Sequence, residues 1–402
     1  MTDMTPSALT ARMARRSIAF GRSPWTFMDQ FMNLHDDLIY FGNGAPANEL
    51  YPIKELQQGA ETIWREMDAS SLDYGELKGF KPLRELITRR MRAQGFTVEP
   101  EQILITFGSQ QGIDISARLM LDPGDVIAAE GPTYIGAMQA FDAYEPTYAQ
   151  FPVDDQGMQV DRLVDYARQT GRTPKLIYVI PNFQNPTGQT MSDARRDELI
   201  AFAGDCGALI VEDDPYGEIW YECCPPDQLR KRSDQVMYLG TFSKTIAPGL
   251  RVGWMVVPDA MMGQALMAKE SSEVCGVRTV TRTVHAAAGS FLDEHVIAAR
   301  AFYTGRRDAM LNALEETMPA GVVWSRPTGG FFVWVTLPDG ITASQLLPIA
   351  ARNGVGFLPG RFFFPAAEGE DCSLRLSFSA MSGERITEGV RRLAISIRQM
   401  LS

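Results

Sequence analysis

Between about residues 100 and 257 the chain repeats one pattern that few folds accept: short, nearly continuous apolar runs separated by amphipathic stretches and tight turns. The runs fall at 102–106, 125–129, 175–180, 208–211, 235–239 and 251–257. Runs without apolar–polar alternation suit strands buried on both faces, and helices between them supply the covering layers. Helical spacing at 111–121 and at 192–205, the latter opening on Ser192 as an N-cap, fits that role. The expected core is therefore an α/β domain built on a mostly parallel, doubly wound sheet.

Beyond about residue 290 the pattern changes to a helical stretch reaching 318, strands at 322–324 and 330–337, and another helix near 343–353. This reads as a separate, smaller α+β lobe, in keeping with a length of 402 residues, too great for one small core. The expected division is an N-terminal arm at 1–45 packed on the small lobe, a large domain at 46–288 and a small domain at 289–402. The net charge of −11 argues against nucleic acid as the main partner, because phosphate binding needs clustered excess Lys and Arg. The one basic cluster, Arg12, Arg15, Arg16 and Arg22, reads as an ordinary N-terminal helix in preference to a transit peptide. No apolar run approaches the roughly 18 residues of a membrane span. The 5 cysteines form no CxxC pair, which suggests neither a disulfide framework nor a zinc knuckle and fits a reducing cytoplasm. The 3 histidines, His35, His285 and His295, lack metal-hydrolase spacing, and no metal site is expected.

Ligands of open α/β sheets bind outside the carboxyl ends of the strands, so the chemistry is sought there. The first run leads into Gly108-Ser109-Gln110-Gln111-Gly112, a small polar turn opening a helix, which can offer backbone N–H groups to a phosphate. Pro181 to Gly188 follows the third run, Glu212-Asp213-Asp214-Pro215-Tyr216 the fourth, and Gly240-Thr241-Phe242-Ser243-Lys244 the fifth. Only Lys244 among 7 lysines directly follows a buried strand. Taken alone, a Ser-x-Lys is usually a solvated loop. Its company reverses that reading, since carboxylates, a phenol, an amide and a glycine turn fall at the other strand ends. An amine for an aldehyde, a carboxylate for a pyridine nitrogen, Asn185 and Tyr216 for a phenolate oxygen, and Arg251 with a helix N-terminus for a phosphate suit a single cofactor.

The motifs PNFQNPTG at 181–188, EDDPY at 212–216, GTFSKTIAPGLRVGW at 240–254, YGELKGFKPLRE at 74–85 and RLSFS at 375–379 together carry a family likeness. From about Gly42 to Ser379 the chain resembles the fold type I pyridoxal-phosphate aminotransferases of class I/II, especially the kynurenine/2-aminoadipate branch. The resemblance implies pyridoxal 5'-phosphate as cofactor, with Lys244 as its Schiff-base lysine and Ser109, Gln110, Thr241, Ser243 and Arg251 around its phosphate. It implies Tyr134 stacked on the pyridine, Asn185 and Tyr216 on the ring oxygen, and Arg375 clamping the substrate α-carboxylate, with Gly44 at the substrate end. It also implies a homodimer in which Tyr74 reaches the phosphate of the neighbouring subunit. Asp213 or Asp214 could face the ring nitrogen, and the family spacing D-x-x-Y selects Asp213, leaving Asp214 a supporting role. Thr241 stands where serine is common and keeps the hydroxyl.

The implied reaction is ping-pong transfer of an amino group from an L-amino acid to a 2-oxo acid, with 2-oxoglutarate as the expected acceptor. Apolar residues at 357–364 and Phe41 suggest a pocket for aromatic or long aliphatic donors, while an N-terminal arginine could hold 2-aminoadipate. A lyase on the same fold and a regulator derived from it are the rival readings, the latter needing an additional DNA-binding domain. A dinucleotide-binding reading of 42–47 lacks strand-to-helix context. Cys223 and Cys224 match no motif and are expected to be buried.

Overall fold

The computed structural model describes residues 12–19, 23–365 and 371–402; Arg22 of the basic cluster lies outside them. Its centre is an eight-stranded sheet in the order Ile103–Phe107, Val252–Val256, Met237–Thr241, Leu209–Asp213, Leu176–Val179, Val126–Gly131, Thr147–Asp154, Gly157–Met158. The five strands from Met237–Thr241 to Thr147–Asp154 pair in parallel. Val252–Val256 runs antiparallel to both its neighbours, and Gly157–Met158 closes the far edge as a hairpin. The sheet is the expected mostly parallel one. The strand Thr147–Asp154 is absent from the sequence reading because it sits near the edge with alternating burial and no continuous apolar run.

Helices cover both faces, as buried strands require. Ser109–Met120 presses so closely that a Cβ on Gly112 would stand 2.7 Å from Leu239 Cδ2. Asp193–Cys206 begins on Ser192, whose side chain accepts from Arg195 N–H, as the N-cap reading required.

The small lobe is an antiparallel sheet in the order Val323–Trp324, Phe332–Thr336, Ser373–Ser377, Leu358–Pro359. Arg278–Thr317, a continuous helix of 40 residues, serves both lobes. Near its start Thr283 and Ala287 meet Gly59 of Ile53–Glu66, and further along Ala309 meets Gly383 of Gly383–Leu401. The expected 288/289 boundary falls inside this helix.

Ile39–Tyr40 pairs in parallel with Val355–Gly356, and Met28, Ile39 and Phe41 are buried in the small-lobe core. Phe41 and Phe357, expected at the substrate pocket, instead fill that core at 0% exposure. Burying an aromatic ring completely between a sheet and its helices is worth more to the fold than leaving it at a solvent-filled pocket. Among the described residues no helix is long and apolar enough to cross a membrane, and no cluster of three potential metal ligands occurs.

Candidate active site

The strand-end loops converge on a cavity between the large sheet and the small lobe. Every residue expected to bind the cofactor or the substrate carboxylate borders it except Tyr74, while Phe41 and Phe357 lie in the small-lobe core. At its floor, Gly108 takes φ +71° and leads into the helix starting at Ser109. Gly253 passes directly beneath, where a Cβ would lie 2.7 Å from the Gly108 carbonyl carbon and 2.8 Å from Ser109 N. Only glycine permits that approach, which holds the helix N-terminus against the cavity, where an anion is favoured.

Ser243 N–H donates to Thr241 Oγ1 at 3.1 Å, and the two hydroxyls lie 2.8 Å apart. Arg251, in the left-handed region at φ +52°, donates to the carbonyls of Pro248 and Phe107. Gln110 Nε2 donates to Gly136 O at 2.5 Å. A helix N-terminus, two hydroxyls and a guanidinium therefore form a cup suited to a phosphate dianion.

Lys244 extends from the end of the Met237–Thr241 strand, and its Nζ donates to Gly44 O at 3.1 Å. Burial first, then the nearby Arg375 and Arg251, push its ammonium down to about 8, with Asp213 opposing. The amine is thus readily deprotonated, as a nucleophile or proton acceptor must be.

Asp213 ends the Leu209–Asp213 strand at 2% exposure. Its Oδ2 accepts from Tyr178 O–H at 2.8 Å, while Oδ1 is buried without a partner. Burial pushes the carboxyl up to about 7. A buried, half-satisfied carboxylate opening on a cavity needs a cationic donor, and a protonated pyridine nitrogen is one. Asp214 points the other way. Its Oδ1 accepts from Asn182 at 3.0 Å, and its Oδ2 from both Gln228 and Tyr238 at 3.2 Å.

Arg375, 4% exposed, donates from Nη1 to Asn185 Oδ1 at 2.8 Å and from Nη2 to Gly42 O at 2.7 Å, while Nε has no partner. Its guanidinium lies 4.2 Å from the Phe332 ring centroid and 5.1 Å from that of Phe363. Burial lowers its pKa to about 10. Among the described residues no carboxylate pairs with it, so this is a buried cation with an unmet charge. Tyr216 is a buried phenol and Tyr134 a half-buried one, and in both burial raises the pKa, keeping them as hydrogen-bond donors. Tyr74 is not brought to this cavity; it is 81% exposed.

Several pocket residues escaped the sequence reading. Trp25, Asn43, Ala45, Ile180 and Phe332 border the cavity. Asn43 and Ala45 lie within 42–47, the segment read there only as a weak dinucleotide motif, and its carbonyls at Gly42 and Gly44 instead hold Arg375 and Lys244. Gln184, unnoticed inside its motif, links the two loops that carry Tyr134 and Asn185: it donates to Pro132 O at 2.8 Å and accepts from Thr187 N–H at 2.8 Å. Cys223 and Cys224 are both exposed, contrary to expectation. They lie on a surface connection after Tyr221, where Pro225 and Pro226 prevent the chain from turning inward as a strand or helix.

Residues 36–393 match the family described as aminotransferase class I and II. An aromatic-amino-acid aminotransferase 1 of Thermococcus litoralis is 40% identical over 371 residues, covering 90% of this chain and 88% of the relative. A 2-aminoadipate transaminase of Thermus thermophilus is 35% identical, with 91% of each chain covered. The solved structure of a Pyrococcus horikoshii kynurenine aminotransferase superimposes with a TM-score of 0.92 at 37% identity, covering 98% of this chain and 99% of that one.

Proposed function

Because this chain belongs to the class I and II aminotransferases, and so is a pyridoxal-phosphate-dependent transaminase, we propose that its own residues divide the reaction as follows. When bound, the cofactor supplies an aldehyde for amines and a protonated ring that draws electron density from the substrate Cα. Lys244, at the cavity with its amine pushed down by burial, would be the residue that holds the aldehyde. Ser109, Gln110, Thr241, Ser243 and Arg251 would hold the phosphate, and Tyr134 would cover the ring. Asn185 Nδ2 and Tyr216 O–H would donate to the ring oxygen, and Asp213 Oδ1 would hold the proton on the ring nitrogen. The observation that carries this reading is one cavity bordered by a depressed lysine, a carboxylate with an open oxygen and a buried arginine that no carboxylate among the described residues neutralises.

Arg375 grips the substrate α-carboxylate, with Gly44 beside it at the substrate end, and so turns the Cα–H bond toward Lys244. Lys244 Nζ, whose amine burial leaves readily deprotonated, would be the group that takes the substrate Cα proton and gives it back, acting first as base and then as acid. The low pKa that burial and two arginines impose suits both tasks. The amino group then goes to a 2-oxo acid, 2-oxoglutarate in our reading, so that initial-rate plots for the two substrates should run parallel.

Trp25, Ile180 and Phe332 give the cavity an apolar wall, which favours an aromatic or long aliphatic donor. The names of the relatives support the same range, together with 2-aminoadipate. The active unit is proposed to be a homodimer. Tyr74 and the exposed apolar Ile53, Trp64, Leu72 and Val277 would lie in the interface, with the partner's Tyr74 reaching the phosphate. A cytoplasmic location is proposed as well, supported by cysteines that form no disulfide. A panel of aromatic, aliphatic and acidic amino donors with 2-oxoglutarate, read by mass spectrometry of the oxo-acid products, tests the reaction. No oxo acid from any donor would refute it.

Arg375→Lys should weaken all donors and acceptors together. Lysine keeps the charge but loses the two-pronged grip, worth about 1.5–3 kcal/mol per charged hydrogen bond, hence roughly a ten- to hundredfold loss in kcat/KM. Selective loss of one donor would move Arg375 from the shared carboxylate to a side-chain pocket.

A further inference from the structure

Two tyrosine hydroxyls reach the neighbouring aspartates, with different results. Tyr238 O–H joins Gln228 and Asn182 on Asp214, so both oxygens of that carboxylate are taken. Tyr178 O–H is the donor to Asp213 Oδ2 at 2.8 Å, and Oδ1 stays open. Tyr178 is 0% exposed, its ring set edge-on against Phe141 with centroids 5.5 Å apart. Its strand, Leu176–Val179, pairs in parallel register with the strand that ends on Asp213. Packing on all sides therefore leaves the hydroxyl one direction.

We propose that Tyr178 is a positioning residue for transamination: by occupying Asp213 Oδ2 it leaves Oδ1 alone to face the cofactor ring nitrogen, and it keeps their shared proton on the ring. This rests on the reading of Asp213 given above. A hydrogen bond donated to a carboxylate stabilises its charged form. Asp213 needs that help, because burial pushes it up and Asp214 adds to the shift, while Lys244 is the charge that lowers it. Glu130, Tyr134 and Tyr216 are the other titratable groups that feel Asp213, and all three are pushed up by burial and by Asp213. The Tyr178 phenol, raised well above its ordinary value by burial and by Asp213, remains a donor and cannot compete for the negative charge. Without it the carboxylate becomes the stronger base and draws the proton off the ring, weakening the electron sink.

Holoenzyme carrying cofactor isotopically labelled at the ring nitrogen makes this measurable by nuclear magnetic resonance. In Tyr178→Phe the ring-nitrogen resonance should move toward its unprotonated position and kcat should fall roughly tenfold, within the worth of one charge-assisted hydrogen bond, with the donor KM unchanged. Tyr238→Phe removes the same group from the adjacent carboxylate and should move neither. An unshifted resonance in Tyr178→Phe, or an equal shift in Tyr238→Phe, overturns the proposal. Asp213→Asn is the reference: if it too leaves the resonance in place, the reading of Asp213 fails and Tyr178 falls with it. Should Tyr178→Phe not fold, difluorotyrosine at 178, a more acidic donor of nearly the same shape, should shift the resonance the opposite way, and no shift would overturn the proposal.

Discussion

Lys244→Ala should bind pyridoxal phosphate yet transaminate at a rate lower by on the order of 10⁴-fold or more. Each proton transfer by a positioned side chain contributes about 10²–10⁴-fold, and Lys244 serves both. Retention of the cofactor follows from the rest of the site. The cup at Ser109, Thr241, Ser243 and Arg251 and the open oxygen of Asp213 do not depend on the lysine amine. Alanine also leaves no buried amine in need of a partner, so the fold should survive. The measurements are single-turnover rates with an amino donor, and borohydride reduction of the parent enzyme followed by peptide mapping. Reduction should label the peptide containing Lys244. A label on any other lysine, or a variant with near-normal turnover, would show that the chemistry is centred elsewhere.

Asp213→Asn should cost on the order of 10²–10³ in kcat, the range seen when one preorganised electrostatic partner is removed from a buried site. An amide of the same shape cannot hold a positive ring nitrogen, so the electron sink is lost while the pocket is kept. Asp214→Asn should do the reverse. Its carboxylate accepts from Asn182, Gln228 and Tyr238, and an amide must turn an N–H toward one of those donors. The penalty of about 1–3 kcal/mol for a spoiled buried hydrogen bond falls on stability, a drop of several degrees in Tm, with kcat reduced far less. Equal losses of kcat in the two variants would remove the distinction between the aspartates.

The main architecture and much of the site were legible in the sequence for a local reason. Continuous apolar runs can be buried only as central strands, and in an open α/β sheet the residues that follow them must gather at one edge. That placed Lys244, Asp213, Asn185 and Ser109 around one cavity without reference to their three-dimensional contacts, while the choice of Asp213 over Asp214 came only from the family resemblance and its D-x-x-Y spacing. A strand near the edge, exposed on one face, carries a weaker imprint than a central one, which is why Thr147–Asp154 went unseen.

What depends on chain segments far apart in sequence could only be decided by the folded molecule. Arg375 meets Asn185 across 190 residues, and Lys244 meets Gly44 across 200. Neither pairing leaves a mark in local composition. The same holds for Phe41 and Phe357, whose apolar character fits a core and a pocket equally until packing assigns them to the core, and for Tyr178, an unremarkable strand residue until its hydroxyl is found on Asp213. Local sequence thus determines which elements form and which residues stand at their ends. The tertiary structure decides which polar atoms are satisfied and which stay open, because burial and partners are set by the whole chain, and the open atoms are where a ligand can bind.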